Sequence, residues 1–357
     1  MDIRLSELQE LLRANAQEFF EREVTFERIR EIEAADTPDV QLWERMVQLG
    51  WTSLPIAEEY GGQGGTLLDT SILVNEACRV ALPSPFTSTL IGAAAVQAHG
   101  SEDVKNALLP RLAEGLSISS AVLEADDAIY GDPQTTSDGS TVSGEKRFVE
   151  FGATSDVHLV TATRNGSQGI AVVSRDQAGV QLTPVQTIGA IPQAHVRYDG
   201  AAVDGWIEGG DAVDGLRDLG TALTAFEAYA YAQKALDLTV DYVQLRVQFG
   251  QPLGAFQAVQ MRCADMATLV EGSRFLAQEL LWKLDQGEAT RRDVAIVKAI
   301  TSKMAPQVLQ DCHMLHGGIG YMQEYDLHFF TRRGKEASLR WGSARETMNV
   351  VVDSAFA

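Results

Sequence analysis

The sequence predicts an α+β fold in three parts: an all-α N-terminal domain, a middle β-domain and a C-terminal four-helix bundle. Two observations predict it. Up to about residue 115, and again after about residue 208, apolar residues recur every three to four positions, which is the period of an amphipathic helix. Residues 116–207 instead contain short apolar and β-branched runs between turn sequences. We therefore predict domains at 1–115, 116–207 and 208–357.

The N-terminal domain is expected to be helical because segments such as LSELQELLRANAQEFFEREV and VQLWERMVQLGW keep the helical period. Glycine and proline interrupt it mainly in EEYGGQGGTL (58–67) and ALPSPF. The glycine-rich loop could in principle hold phosphate, but it follows no predicted strand and lacks the GxxxxGK[ST] pattern. A plain turn is the favoured interpretation.

The middle domain is predicted from the runs SISSAVLEA, DVHLVTAT, GIAVVS, VQLTPV and AHVRYD, separated by turn signals such as SDGS and RNGSQG. We expect these strands to form a β-barrel or a β-sandwich. The C-terminal bundle is predicted from four long helical segments near 211–248, 255–286, 290–316 and 335–353.

Composition excludes several classes of function. With 49 acidic and 29 basic residues the net charge is −20, so nucleic-acid binding is not expected. The three cysteines are far apart, which suits reduced thiols in a cytoplasm. The start, MDIRLSELQELL, lacks the apolar core of a signal peptide, and no run approaches the ~18 apolar residues of a membrane span. We expect a cytoplasmic protein.

Three longer motifs identify a family. YVQLRVQFGQPLGAFQAVQMRCADMATLV (242–270), LHGGIGYMQEYDLHFFTRR (315–333) and LGWTSLPIAEEYGGQGG (49–65) resemble the acyl-CoA dehydrogenase family in this order. The resemblance implies the acyl-CoA dehydrogenase fold and an oxidoreductase that uses FAD to remove the α proton and β hydride of an acyl-CoA thioester. It also implies a dimer of dimers and an electron-transfer flavoprotein as electron acceptor.

The same motifs carry candidate FAD contacts. Arg246 matches the family arginine that meets the FAD diphosphate, and a guanidinium offers two parallel donors where an ammonium offers a point charge. The resemblance implies that Phe249 and Gln257 contact the nucleotide end and that Gly317 and Gly318 allow close backbone approach. In the family these residues serve a cofactor held mainly by the neighbouring subunit. The alternative for Arg246 is a surface ion pair.

The catalytic base of the family is absent from both positions that it occupies in members. The first, a glutamate before Gly-Thr, corresponds to Trp341, which is followed by Gly342 and Ser343. The second corresponds to Gly220, and Thr221 follows where many members have an arginine at the thioester. An indole cannot accept the α proton. We therefore predict no catalytic residue in this chain.

The positions that would face the chain's own flavin also depart from the family. The phrase AVLEADDAIYGD has Leu123 where a hydroxyl belongs, and Phe148, Val149 and Glu150 replace Trp-x-Thr. A buried carboxylate beside the reduced ring would be repelled. Met314 replaces the usual glutamine before the Gly-Gly. We infer that the chain holds no flavin in a site of its own.

Two other groups have alternative interpretations. Glu227 lies in the apolar stretch TALTAFEAYAYAQKAL and is either a displaced base with a raised pKa or, as we favour, a structural carboxylate bonded to a neighbouring helix or at a subunit interface. His313 and His316 form HxxH, but no acidic third ligand lies nearby in sequence, so no metal site is predicted.

The retained and missing residues together predict a non-catalytic subunit of a heteromeric, α2β2 acyl-CoA dehydrogenase that shares FAD across the subunit interface. A related catalytic partner would supply the glutamate and bind most of the acyl-CoA. This pattern resembles the small subunits of heteromeric steroid side-chain acyl-CoA dehydrogenases in lipid and steroid degradation. Two alternatives stay open: a homomeric enzyme with lyase or hydratase chemistry on a CoA thioester, using Glu227 or Glu150, and a purely structural partner subunit.

Overall fold

The structure, a computed structural model, describes residues 4–125 and 128–356. Asp126 and Asp127, inside the phrase AVLEADDAIYGD, lie outside the described residues. The chain divides into two compact units. The sheet unit contains residues 27–74 and 83–220, and the helical unit contains residues up to 26, 75–82 and those from 221 on. The boundaries at 115/116 and 207/208 stay predictions.

The N-terminal region is helical, as the apolar period predicts. Its helices are α1 (Glu7–Glu23), α2 (Phe26–Ala35), α3 (Val40–Gln48), α4 (Leu67–Arg79), α5 (Phe86–His99) and α6 (Glu102–Ala113). Ser6, Asp39 and Ser101 cap α1, α3 and α6 by accepting a backbone N–H with the side chain. Each cap satisfies an amide that the first helical turn leaves without an intrahelical partner.

The glycine-rich loop before α4 is a packed turn. A Cβ at Gly62 would lie 2.0 Å from the Ile56 carbonyl oxygen, and one at Gly65 would lie 2.6 Å from the Leu54 side chain. These glycines are therefore required because the chain passes close to itself, which agrees with the plain-turn interpretation.

The middle region forms one open sheet. Its strands are β1 (Ile118–Ala121), β2 (Thr136–Ser137), β3 (Thr141–Glu150), β4 (Val157–Arg164), β5 (Ser167–Ser174), β6 (Val180–Val185), β7 (Gln193–Ala202) and β8 (Gly205–Glu208). The order is β6-β7-β3-β2-β4-β5-β8, with β1 added in parallel to β4. The path through the described strands does not return to β6, so the barrel alternative is wrong.

The sheet's core is made of small and β-branched side chains from its central strands, among them Val142, Val160, Val173 and Val196. The sequence analysis missed β2, β3 and β8. Strand β3 escaped notice because the charged run at 145–147 interrupts its apolar alternation, yet it pairs with β7 along most of its length.

The C-terminal region contains α7 (Gly210–Leu245), α8 (Gln257–Asp285), α9 (Arg291–His316), α10 (Leu327–Ala337) and α11 (Ala344–Phe356). The segment near 335–353 is therefore not one helix, because the loop 338–343 separates α10 from α11. A short hairpin of β9 (Val247–Gln248) and β10 (Gln251–Pro252) joins α7 to α8. No helix among residues 4–125 and 128–356 has the length and apolar content to cross a bilayer.

Candidate functional site

The C-terminal ends of α7 and α9 meet through an aromatic contact. The Tyr242 ring stacks on His316 with centroids 4.3 Å apart, and the Tyr242 hydroxyl donates to the His316 carbonyl at 3.4 Å. His316 Nδ1 donates to the Cys312 carbonyl (2.8 Å), so its Nε2 accepts the Tyr325 hydroxyl hydrogen (2.9 Å). This contact fixes the chain one turn before Arg246 against the residue that precedes Gly317.

The hairpin after α7 turns the chain into α8 at the same end. The Leu253 amide donates to the Arg246 carbonyl at 2.8 Å, which closes the base of the hairpin. At its tip, Phe249 has a backbone φ of +56° and a side chain that is 90% exposed. Its ring meets Phe256, the residue before α8, with centroids 6.1 Å apart. Gln257 is thus placed at the base of the hairpin.

The structure therefore brings the five predicted FAD contacts to one end of the helical unit, here called the donor end: Arg246, Phe249, Gln257, Gly317 and Gly318. All five are exposed. The Arg246 guanidinium forms no ion pair or hydrogen bond with any residue that the structure describes, so the surface-ion-pair alternative finds no partner there. By contrast, Arg262 on α8 pairs with Asp311 on α9.

The two glycines of the donor end leave an open surface. Gly317 has φ +63°, which favours glycine, and a Cβ at Gly317 or Gly318 would meet nothing within 4 Å. No packing among the residues that the structure describes explains Gly318. An exposed guanidinium beside bare backbone fits a diphosphate ligand that approaches the chain closely.

Large apolar side chains surround these residues. The exposed ones at the donor end are Leu245, Val247, Met261, Met314, Ile319, Tyr321 and Met322. Met314, which replaces the usual glutamine, is among them.

Trp341, at the first predicted position of the base, contacts Thr221, the residue that follows the second predicted position, Gly220. The hydroxyl of Thr221, on α7, donates to the carbonyl of Trp341 at 3.1 Å. Trp341 is 8% exposed, with φ +55°, and Gly342 follows with φ +100°. The first predicted position of the base thus carries an indole, and the second carries glycine, which has no side chain to accept a proton. The prediction that this chain has no catalytic residue is consistent with these side chains.

Glu227, the carboxylate that the sequence analysis considered as a displaced base, forms an ion pair within the chain. Its carboxylate accepts from the Arg340 guanidinium, and both side chains are less than 10% exposed. Burial, with the Glu227 charge adding to it, raises the pKa of the neighbouring Cys78 thiol and of the Tyr231 hydroxyl. This arrangement agrees with the structural interpretation of Glu227. Sequence reasoning could not find Arg340, which lies 113 residues away.

The positions that the sequence analysis expected to face the chain's own flavin lie in the sheet unit. Phe148 has φ +51°, its ring meets His195 edge-on with centroids 5.0 Å apart, and its amide hydrogen points to His195 Nδ1 at 3.4 Å. Glu150 and Leu123 are half-buried. Glu150 is therefore not the fully buried carboxylate that the repulsion argument considers.

Sequence reasoning also missed a buried polar network in the sheet unit. Lys146 is fully buried and donates to Glu124 (2.6 Å), to the Thr161 hydroxyl (2.9 Å) and to the Val122 carbonyl (3.4 Å). Glu124 also accepts the Thr135 hydroxyl hydrogen at 2.7 Å. Burial alone would raise the pKa of Glu124, but the charge and hydrogen bonds of its partners outweigh burial and lower it. The network is satisfied, as a structural cluster requires.

The HxxH pair does not assemble a metal site in the described chain. His313 Nε2 contacts the Thr331 hydroxyl at 2.6 Å, and both ring nitrogens of His316 are engaged. Among the described residues, no three His, Cys, Asp or Glu side chains are grouped to hold a metal ion.

Comparisons with known proteins agree with the motifs. Residues 6–116 match the family model of the acyl-CoA dehydrogenase N-terminal domain, and residues 215–352 match that of the C-terminal domain. Acyl-CoA dehydrogenase FadE28 of Mycobacterium tuberculosis is 30% identical over 288 residues, which cover 80% of this chain and 84% of that protein.

Solved structures extend the similarity to the whole chain. A variant of the Tcur3481-Tcur3483 steroid ACAD is 27% identical with a TM-score of 0.91, covering 98% of this chain and 99% of that one. The ChsE4-ChsE5 complex from Mycobacterium tuberculosis, at 23% identity and a TM-score of 0.93 over 99% of both chains, shares the fold. On these matches and its three motifs, the chain belongs to the acyl-CoA dehydrogenase family.

Proposed function

We propose that this chain is the non-catalytic subunit of a heteromeric, FAD-dependent acyl-CoA dehydrogenase and that it donates half of an FAD site to a catalytic partner. One observation carries the proposal. The helical unit presents an exposed, unpaired Arg246 at the donor end, whereas a buried Trp341 occupies the position of the base.

The donor end is suited to bind and orient the nucleotide part of FAD. Arg246 would hold the diphosphate, Phe249 and Gln257 would contact the nucleotide end, and the bare backbone of Gly317 and Gly318 would allow close approach. When bound, the flavin supplies the acceptor for the β hydride of the acyl thioester. These five residues are polar donors, an aromatic ring or glycine, and none of them can remove a proton at neutral pH.

The proton-transfer half of the reaction belongs to the partner in this proposal. Removal of the α proton needs a carboxylate within hydrogen-bond reach of that carbon. Trp341 and Thr221 cannot provide one, and Glu227 is held by Arg340. The partner would therefore supply the glutamate, the thioester pocket and the remaining flavin contacts.

The partner and substrate classes follow from similarity and from the asymmetry of the sites. A homo-oligomer would join donor ends to acceptor sites that lack a base, whereas a hetero-oligomer would not. The 27%-identical Tcur3481-Tcur3483 structure is described as a steroid ACAD, which supports an α2β2 assembly and a bulky acyl chain such as a steroid side chain. An electron-transfer flavoprotein as electron acceptor and a cytoplasmic location complete the proposal.

The test compares the chain alone with the chain co-expressed with the acyl-CoA dehydrogenase chain encoded beside it. We expect a colourless or insoluble product alone and about one FAD per pair of chains in the complex, because only the partner offers an acceptor site. A yellow, active product from this chain alone would contradict the proposal and favour the homomeric enzyme.

A substitution separates cofactor binding from a purely structural role. Arg246→Ala should weaken FAD binding by the complex about tenfold or more, since hydrogen bonds to charged groups contribute about 1.5–3 kcal/mol. Arg292→Ala is the matched control, because Arg292 is also exposed but lies at the start of α9, roughly 36 Å along the helix from His316. Equal FAD affinity in both variants would support the structural-partner alternative.

A further inference from the structure

The loop between α10 and α11 has an unusual backbone. Trp341 has φ +55°, in the left-handed region that bulky residues rarely occupy, and Gly342 continues with φ +100°. A residue keeps such a conformation only where its surroundings hold it there. The conformation turns a large indole inward, and only 8% of Trp341 stays exposed.

Two contacts with α7 hold this loop. The fully buried Thr221 hydroxyl donates to the Trp341 carbonyl at 3.1 Å. The preceding residue, Arg340, forms the buried ion pair with Glu227. Adjacent residues of the loop are therefore fixed to the same helix, one by a neutral hydrogen bond and one by a charge pair.

The face of α7 beside this loop is more polar than a packed core requires. Thr224 lies one turn after Thr221, and its hydroxyl is buried without a hydrogen-bond partner among the residues that the structure describes. Buried hydroxyls normally have a partner, so an unpartnered one marks a place where a bound molecule would supply it.

We propose that the loop 338–343 is a built-in plug, in which Trp341 fills the space beside Thr221 and Thr224 that an acyl thioester would otherwise enter. This chain consequently binds no acyl-CoA of its own. The inference rests on the proposed function, because that function takes Trp341 as one position of the missing base and Gly220, the residue before Thr221, as the other. It adds that the vacant site is closed sterically as well as lacking a base.

The test counts octanoyl-CoA bound per pair of chains in the purified complex by equilibrium dialysis. The unaltered complex should bind about one equivalent, and the complex carrying Trp341→Gly about two, a twofold rise. Glycine accepts the positive φ without strain, so the loop can keep its path while the indole is removed. Trp282→Ala, which removes a half-buried indole from α8 in the same unit, should leave the count at about one.

Two results would overturn the plug. One is a second octanoyl-CoA in the unaltered complex, which needs no variant to be informative. The other is an unchanged count in Trp341→Gly. Should that variant fail to assemble, Trp341→Leu keeps a smaller apolar side chain at this position. An unchanged octanoyl-CoA count in Trp341→Leu would also contradict the plug. FAD measured in the same samples separates the two proposals: two FAD per pair contradicts the proposed function, whereas one FAD with two octanoyl-CoA in the unaltered complex contradicts only the plug.

Discussion

The charged groups at the donor end and those in the buried polar clusters differ in exposure and in pairing. At the donor end, Arg246 is exposed and has no partner within the described chain. In the interior, Glu227 pairs with Arg340 and Lys146 pairs with Glu124, and each of these side chains is at most 10% exposed. A buried charge without a partner would be costly, whereas an exposed cation is solvated until a ligand arrives. The interior charges therefore stabilise the fold, whereas the exposed one is available to bind a ligand.

The largest expected effect comes from breaking an interior pair. Lys146→Met leaves Glu124 buried without its cation, which should lower the free energy of unfolding by about 3–5 kcal/mol. Urea unfolding measures this loss. Lys303→Met is the control, since Lys303 is exposed on α9 and its replacement should change stability by less than about 0.5 kcal/mol. Equal midpoints for the two variants would show that the pair does not stabilise the sheet unit.

A buried histidine should make stability depend on pH. His158 Nε2 donates to the Gly152 carbonyl (2.8 Å), so its Nδ1 accepts the Tyr198 hydroxyl hydrogen (2.9 Å) in a neutral ring. Burial lowers the pKa of His158 from 6.5 to about 4. Between these values the unfolded chain binds a proton that the folded chain does not. Stability is therefore intact above pH 6.5 and falls by about 3 kcal/mol as the pH drops toward 4.

His158→Gln tests this dependence because glutamine can donate to the Gly152 carbonyl but does not titrate. The variant should lose less stability than the unaltered chain when urea unfolding is repeated across this pH window. Parallel pH profiles for the two proteins would assign the acid sensitivity to other groups.

Alanine substitutions of the two donor-end glycines should affect stability and FAD binding differently. Gly317→Ala forces a side chain into the left-handed region and should lower the free energy of unfolding by about 1–2 kcal/mol. Gly318→Ala should change stability by less than about 0.5 kcal/mol, because its Cβ enters open space. Its added methyl group should nevertheless weaken FAD binding by the complex about tenfold. Unchanged FAD affinity in Gly318→Ala would remove this glycine from the site.

The smallest effect on stability is expected at the tip of the hairpin. Phe249 is 90% exposed, so Phe249→Ala should change the free energy of unfolding by less than about 0.5 kcal/mol. Exposed aromatic rings contribute most when a partner buries them, so the same variant should weaken assembly of the complex. Thermal unfolding and sedimentation of the complex measure the two effects. A large loss of stability in the isolated chain would mean that Phe249 serves this chain's own fold.

The sequence predicted the helical regions well because their apolar residues follow one period over long segments. It failed where local composition opposes the final structure. Strand β3 carries charges at 145–147, and burial of Lys146 is favourable because distant groups such as Glu124 and Thr161 accept its hydrogen bonds. The segment near 335–353 has a helical composition throughout. Positive φ values at Trp341 and Gly342 nevertheless interrupt it, so that it forms two helices instead of one.

The candidate site divides in the same way. The residue types of the donor end and the absence of a glutamate from its two family positions could be predicted from motifs, since both depend on local order along the chain. The convergence of Arg246 with Gly317 could not, because it depends on the stacking of Tyr242 on His316. The pairing of Glu227 with Arg340 likewise depends on side chains 113 residues apart.

Periodicity and motif spacing are properties of neighbouring residues, so the sequence alone was enough to establish the order of helical and strand regions and the family, and to predict that neither family position carries a base. Tertiary structure alone decided that the sheet is open, that the donor-end residues meet, and that Trp341 is held against Thr221. The physical reason is that strand closure, burial of charge and the filling of space depend on groups far apart in the chain.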